Sequence, residues 1–188
     1  MEMAAARLAG AGITANQVTV ASWGVGLAAA AAIALEWYLA GLALFLLNRL
    51  GDGLDGAVAR LKGPTDLGGY LDIVLDFAVY GAIPFGFILA SPEANALAGA
   101  VLLVSFYVNG ASFLAYAAVA ARLGLETRAR GTKSIYFTTG LAEGTETILF
   151  FVLFCLLPQW FAPLALVFAA MCFWTAFWRV MEARRQFR

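Results

Sequence analysis

Apolar runs of about twenty residues, most of them separated by very short breaks, leave this chain few ways to fold. Six runs fall at roughly 17–35, 37–60, 66–90, 96–122, 135–157 and 160–180. Each has about the ~20 residues a helix needs to cross a ~30 Å hydrocarbon core. Four of the breaks are a few residues each: Glu36 and Trp37, Gly63-Pro64, Ser91-Pro92-Glu93, and Pro158-Gln159-Trp160. Only 13% of the residues are charged and 63% are hydrophobic, where a soluble domain carries about a quarter charged. The sequence therefore predicts an all-α integral membrane protein with six transmembrane helices, forming one membrane-embedded domain over residues 1–188. Residues 1–13 place Glu2 and Arg7 among alanines, with no apolar core leading to a small-residue cleavage site. They predict a short amphipathic helix on the membrane surface rather than a cleaved signal.

The charges set the orientation. All twelve Lys and Arg fall in the N-terminal segment, the 61–65 turn, the 123–134 loop, the C-terminal tail, or span ends leading into these. The opposite loops hold only Glu36 and Glu93. The positive-inside rule then puts both termini on the cytoplasmic side of the inner membrane. The balanced charge, 12 basic against 12 acidic residues, argues against a nucleic-acid partner. Cys155 and Cys172 lie in apolar runs and read as packing residues. There is no histidine, so proton transfer falls to carboxylate, lysine, tyrosine or water.

Against this apolar background stand Asp52, Asp55, Asp72 and Asp76. A carboxylate near a bilayer is costly unless it is paired, metal-bound or facing water. At ~100° per helical residue, Asp52, Asp55, Gly56, Ala59 and Arg60 share one face, and so do Gly68, Asp72 and Asp76. The short turn between the two helices makes them antiparallel neighbours whose acidic faces converge at the cytoplasmic edge. Four carboxylates so close repel one another, and divalent cations remove that repulsion. An all-oxygen set favours magnesium, manganese or calcium over zinc. Two ions ~3.5–4 Å apart would suit phosphoryl transfer. Gly56, Ala59 and Gly68 leave room for a phosphate group, and Arg60 offers it a bidentate fork.

These residues carry a resemblance. DGLDGAVAR followed by Gly68, Asp72 and Asp76 resembles the signature of the CDP-alcohol phosphotransferases, D-x2-D-G-x2-A-R-x8-G-x3-D-x3-D, with seven residues rather than eight between Arg60 and Gly68. Thr14-Ala15-Asn16-Gln17-Val18-Thr19 is similar to the family's T-P-N-x-x-T segment, with Ala15 in place of proline. The resemblance implies transfer of a phosphate-linked group from a CDP-linked donor, such as CDP-diacylglycerol, to a hydroxyl of a small alcohol, with release of CMP, in phospholipid synthesis. It implies two divalent cations, magnesium or manganese, on Asp52, Asp55, Asp72 and Asp76. Asp76 would be the general base. Asn16, Gly56, Ala59, Arg60 and Thr65 would lie against the CDP-linked donor. It also implies a homodimer, for which the aromatic last span offers a surface.

The acceptor side is open to two readings. Arg122, Arg128, Arg130 and Lys133 are either the topology signal, attracted to anionic lipid headgroups, or an anion pocket in which Arg128 and Lys133 hold a phosphorylated acceptor. Glu143 and Glu146 either pair with groups on other spans or line the acceptor cavity. A second functional class also fits an acidic membrane cluster: a divalent-cation transporter or channel. A conduction path needs polar groups across the whole bilayer, whereas here they crowd one edge.

Overall fold

The computed structural model describes residues 1–124 and 144–187, and the described residues are entirely helical outside their turns. In order they form α1 (Glu2–Gly10), α2 (Ala15–Ala34), α3 (Tyr38–Lys62), α4 (Asp66–Ala90), α5 (Pro92–Arg122), α6 (Gly144–Leu156), a 3-10 turn (Pro158–Trp160) and α7 (Phe161–Gln186). Among the described residues, four helical stretches are long and apolar enough to cross a membrane: α2, α4, α5, and the turn continuing into α7. α3 has 25 residues, but from its middle onward it carries Arg49, Asp52, Asp55, Arg60 and Lys62. α6 accounts for 13 residues of the fifth predicted run, and the start of that run lies outside the described residues.

Local chemistry explains the helix boundaries. α2 starts with a capping box. Thr14 Oγ1 accepts from the Gln17 amide at 3.3 Å, and Gln17 Oε1 accepts from the Thr14 amide at 2.9 Å, satisfying two donors that a helix start otherwise leaves unpaired. α3 ends at Gly63, whose φ of +96° is a conformation L side chains avoid. Thr65 then caps α4 by accepting from the Gly68 amide at 3.0 Å. Pro84 lies inside α4, where the helix loses one backbone donor. At the end of α4, the Phe87 carbonyl accepts from the Ser91 amide at 3.3 Å and also from Asn95 Nδ2 at 2.9 Å.

The chain divides into two compact units. The first comprises residues 1–96 and 155–158. In it α2 packs closely against both α3 and α4, and α1 lies on α3. α3 and α4 also meet through side chains, Arg49 of α3 reaching Asp76 and Tyr80 of α4. Close approach is what this arrangement demands of α2. A Cβ on Gly26 would come within 2.6 Å of Val79 Cγ2, and one on Gly86 within 2.6 Å of the Ala30 carbonyl oxygen. Ile33, Phe45, Val79, Ile83 and Phe87 fill the core below, with the Tyr38 and Phe87 rings stacked at 5.7 Å. α1 is seated through Ala5 against Ala57 and Val58.

The second unit takes its described residues from 97–124, 144–154 and 159–187. Its core is aromatic: Phe150 stacks on Phe168 at 4.4 Å, and Phe106 meets Phe168 edge-on at 5.3 Å. Further along α7, Arg179 Nη1 donates to the carbonyl and side-chain oxygens of Asn109, at 3.0 and 2.9 Å, and to Ser112 Oγ at 2.7 Å. The Tyr116 hydroxyl donates to Gln186.

Candidate functional site

The four aspartates of α3 and α4 gather where both helices meet α2. All four line one cavity, together with Thr19, Ser22 and Trp23 of α2, Asn48 of α3, and Leu75 and Val79 of α4. Asp52, Asp72 and Asp76 each offer a carboxylate oxygen, and these three atoms lie within 4.8 Å of one another. That spacing lets one ion touch all three after small side-chain rotations. Asp55 is buried beside them, with 7% of its surface exposed. Its Oδ2 accepts from Thr19 Oγ1 at 2.6 Å. The Thr19 hydroxyl has one proton and a second acceptor in reach, the Ala15 carbonyl at 3.0 Å. The charged, closer carboxylate is the stronger partner.

Two of these surroundings test the fit of a divalent cation. The donor set is all oxygen, the preference of hard cations. On the cavity wall, the buried Trp23 indole nitrogen has no hydrogen-bond partner among the described residues. A buried N–H without a partner is costly, and a water or ligand oxygen in the cavity would satisfy it. The residues therefore suit a hydrated divalent ion.

Sequence reasoning counted Arg49 only as a topology charge; the structure puts it inside the cluster. Its side chain is 9% exposed. Its Nη2 donates to Asp76 Oδ1 at 2.7 Å and its Nη1 to Asp76 Oδ2 at 3.3 Å, a two-pronged grip. Nη1 also donates to the Tyr80 hydroxyl at 3.1 Å and lies 3.6 Å from Asp52 Oδ2. Nε and Nη2 both donate to Asn48 Oδ1, at 2.9 and 2.7 Å. Asn48 is itself fixed, because its Nδ2 donates to the Ser22 carbonyl at 2.8 Å. A usable signal was present: an arginine one turn before Asp52 lies on the acidic face of the same helix.

The residues expected at the CDP-linked donor form two small groups. Asn16, Thr65 and Gly68 meet at the start of α4: a Cβ on Gly68 would come within 2.9 Å of Asn16 Oδ1 and 3.0 Å of Thr65 Oγ1. On α3, a Cβ on Gly56 would sit 3.6 Å from Arg60 Nη1, while Ala59 is half-buried and Arg60 exposed. Glu146 is half-buried in the first turn of α6, in the second unit. Arg128, Lys133 and Glu143 lie outside the described residues.

A helical membrane fold that gathers aspartates from two signature-bearing helices around an oxygen-lined cavity has the makings of a metal-dependent phosphoryl-transfer enzyme. The profile of the CDP-alcohol phosphatidyltransferase family matches residues 12–178, and the chain belongs to that family. It is therefore a transferase of phosphate-linked groups. Among characterised sequences it is similar to the inner membrane protein YnjF of Escherichia coli (strain K12), with 54% identity over 169 residues, covering 90% of this chain and 82% of that protein. Its fold is similar to that of phosphatidylinositol phosphate synthase PgsA1 of Mycobacterium tuberculosis. The structure of that enzyme with CDP-DAG bound matches with a TM-score of 0.70 at 21% identity, covering 96% of this chain and 91% of that one. Its complex with manganese and citrate matches with a TM-score of 0.69 at 21% identity, covering 94% and 85%. At that identity the likeness establishes the shared fold.

Proposed function

We propose that this chain transfers a phosphate-linked group from CDP-diacylglycerol to a hydroxyl of a small alcohol, releasing CMP and making a phospholipid. The observation that carries the proposal is the convergence of Asp52, Asp72 and Asp76, whose oxygens lie within 4.8 Å of one another on the two helices of the family signature. The CDP-DAG complex of the structurally similar synthase supports the choice of donor.

In this reading Asp52, Asp55, Asp72 and Asp76 hold two divalent cations, magnesium or manganese. Bound there, the ions would neutralise the donor's pyrophosphate and stabilise the leaving CMP. Asp76 takes the proton from the acceptor hydroxyl, a poor nucleophile until it is deprotonated. Thr19 steadies Asp55 through its hydroxyl. Gly56 and Ala59 give the donor's phosphates room beside α3, and Arg60 grips them with its exposed guanidinium. Asn16 and Thr65 meet the nucleotide where α2 and α4 begin. Arg128, Lys133, Glu143 and Glu146 bind the acceptor.

The wider assignment follows the same reading. Residues 1–188 form one membrane-embedded domain of six spans, with residues 1–13 as its surface helix. The enzyme resides in the inner membrane as a homodimer, with both termini and the active site cytoplasmic. The positive-inside distribution supports that orientation, and the inner-membrane relative supports the compartment.

The test is CMP release by purified protein supplied with CDP-diacylglycerol, magnesium or manganese, and a panel of glycerol 3-phosphate, inositol, inositol phosphate, serine and choline. Release with one acceptor is expected; silence across the panel would sink the assignment of donor and reaction. Asp76→Asn should abolish release while CDP-diacylglycerol still binds. Normal turnover by that variant would remove Asp76 as base.

A further inference from the structure

Arg49 has no part in the reaction as described, yet three helices are organised around it. Within its own helix, α3, Asn48 holds Nε and Nη2, and α2 holds Asn48 through the Ser22 carbonyl. From α4, Tyr80 and Asp76 take the other end of the guanidinium. The rings of Phe45 and Tyr80 lie 5.8 and 5.2 Å from its central carbon. To reach a substrate phosphate, Arg49 would have to leave Asn48, Tyr80 and Asp76 together. The exposed Arg60 would have to leave far less. Arg49 is thus built to stay where it is.

We propose that Arg49 is a positioning residue that fixes the Asp76 carboxylate for its work on the acceptor hydroxyl and, as a resident cation in the acid cluster, holds down divalent-ion affinity until the CDP-linked donor arrives. The proposal rests on the metal-dependent reading above. Two physical consequences of the grip support it. A carboxylate has about four lone-pair directions. The two-pronged contact takes one on each oxygen of Asp76, which sets the plane of the group and leaves its remaining directions facing the cavity. The second consequence is electrostatic. Four ionised aspartates present a formal charge of −4, and Arg49 among them reduces it to −3, so a divalent ion arriving alone meets a weaker field. When the donor's phosphates enter, they bring back negative charge and ligand oxygens, and ion binding becomes favourable together with substrate binding.

The two roles predict effects of opposite sign on removing the guanidinium, which a merely structural arginine would not produce. The test is titration of the purified, donor-free protein with manganese alone, followed by electron paramagnetic resonance, beside CMP release with the acceptor found in the panel. Arg49→Gln should bind manganese about tenfold more tightly than the wild type, because an opposite charge has been removed from beside the ligands. Its CMP release should fall about 100-fold, the scale of losing alignment at a reacting group. Arg49→Lys keeps the charge but not the fork. Its manganese affinity should stay within about threefold of the wild type, since the charge that opposes the ion is retained, while its CMP release stays depressed. Manganese binding by Arg49→Gln no tighter than wild type, or undiminished CMP release, overturns the proposal. If Arg49→Gln cannot be purified folded, Arg49→Lys decides: undiminished release overturns the positioning role, and depressed release with near-wild-type manganese affinity supports it. A wild type that binds no manganese even with CDP-diacylglycerol present overturns both this proposal and the metal-dependent reading. A wild type that binds it, with an unmoved Arg49→Gln isotherm, overturns this proposal alone.

Discussion

Thr19→Val tests how the deepest of the four aspartates is held. The substitution keeps the side-chain shape and replaces a hydroxyl by a methyl, so it opens no cavity of consequence. It removes the 2.6 Å bond that Thr19 donates to Asp55 Oδ2. Asp55 is only 7% exposed, so bulk water cannot fully replace the lost donor. A hydrogen bond to a charged group is worth about 1.5–3 kcal/mol. In a chain of this size, with ~2–4 °C of melting temperature per kcal/mol, the loss corresponds to roughly 3–12 °C. The assay is thermal unfolding in detergent, followed by loss of the monodisperse peak in size-exclusion chromatography, once with EDTA and once with saturating manganese. With EDTA the full loss is expected. With manganese the loss should shrink, because an ion on Asp55 takes over the role of the hydroxyl. Thr19→Ser, which keeps the donor, should stay near the wild type in both conditions. An unchanged melting temperature with EDTA would refute the claim that the hydroxyl stabilises Asp55. An equal loss in both conditions would refute the inclusion of Asp55 among the metal ligands, leaving Asp52, Asp72 and Asp76.

Further outcomes are expected elsewhere in the molecule. Gly86→Ala should destabilise by about 1–3 kcal/mol, the cost of overpacking, because its Cβ would press on the Ala30 carbonyl at 2.6 Å. Gly81→Ala on the same helix meets nothing within 4 Å and should be neutral or stabilising by up to ~1 kcal/mol; equal effects in the same melting assay would remove the close α2–α4 approach. Leu61→Cys and Glu93→Cys should react with impermeant maleimide from opposite faces of the membrane, the first from the cytoplasm. Both native cysteines are buried, so they should contribute little background, and labelling of both sites from one face would overturn the orientation. Stripping the protein with a chelator should abolish CMP release, and magnesium or manganese should restore it; full activity after exhaustive stripping would remove the metal ions from the reaction.

Much of the first unit could be read from one-dimensional patterns, because its determinants are local. The second and third apolar runs, 37–60 and 66–90, correspond to Tyr38–Lys62 and Asp66–Ala90. Gly63 and Pro64 force the break between them, and Thr65 caps the second of the two helices. The shared face of Asp72 and Asp76 also comes from helical geometry alone, and the structure brings both to Asp52. The route by which the acidic faces meet was not legible. The three-residue turn ties α3 to α4, but nothing in it announces α2, which packs against both. Gly26 and Gly86 each fit that packing, but a glycine in an apolar run does not name its partner. Thr19 is part of the same hidden contact. It reaches Asp55 across 36 positions in sequence, and periodicity cannot specify a distance of that kind.

Arg49 shows the other way a sequence conceals a site. In a membrane chain every arginine near a span end is explained by orientation, and that explanation fits Arg49 as well as it fits Lys62 or Arg122. Burial separates them: the Arg49 side chain is 9% exposed, whereas Lys62 and Arg122 are exposed. A buried guanidinium beside carboxylates is not cheap. Desolvating two charges costs several kcal/mol per ion, and their attraction repays it only with good geometry and further hydrogen bonds. Here the further bonds come from Asn48 and Tyr80. Stability alone gives no reason for the arrangement, since a well-packed apolar pair at positions 49 and 76 would be at least as stable. The triple replacement Arg49→Met, Asp76→Leu and Asn48→Leu, which also removes the buried amide oxygen that would lose both its donors, should therefore melt no lower than the wild type while releasing no CMP. A triple variant several degrees less stable would instead make the group a structural fastening, and would weaken the case that the first unit keeps it for its chemistry.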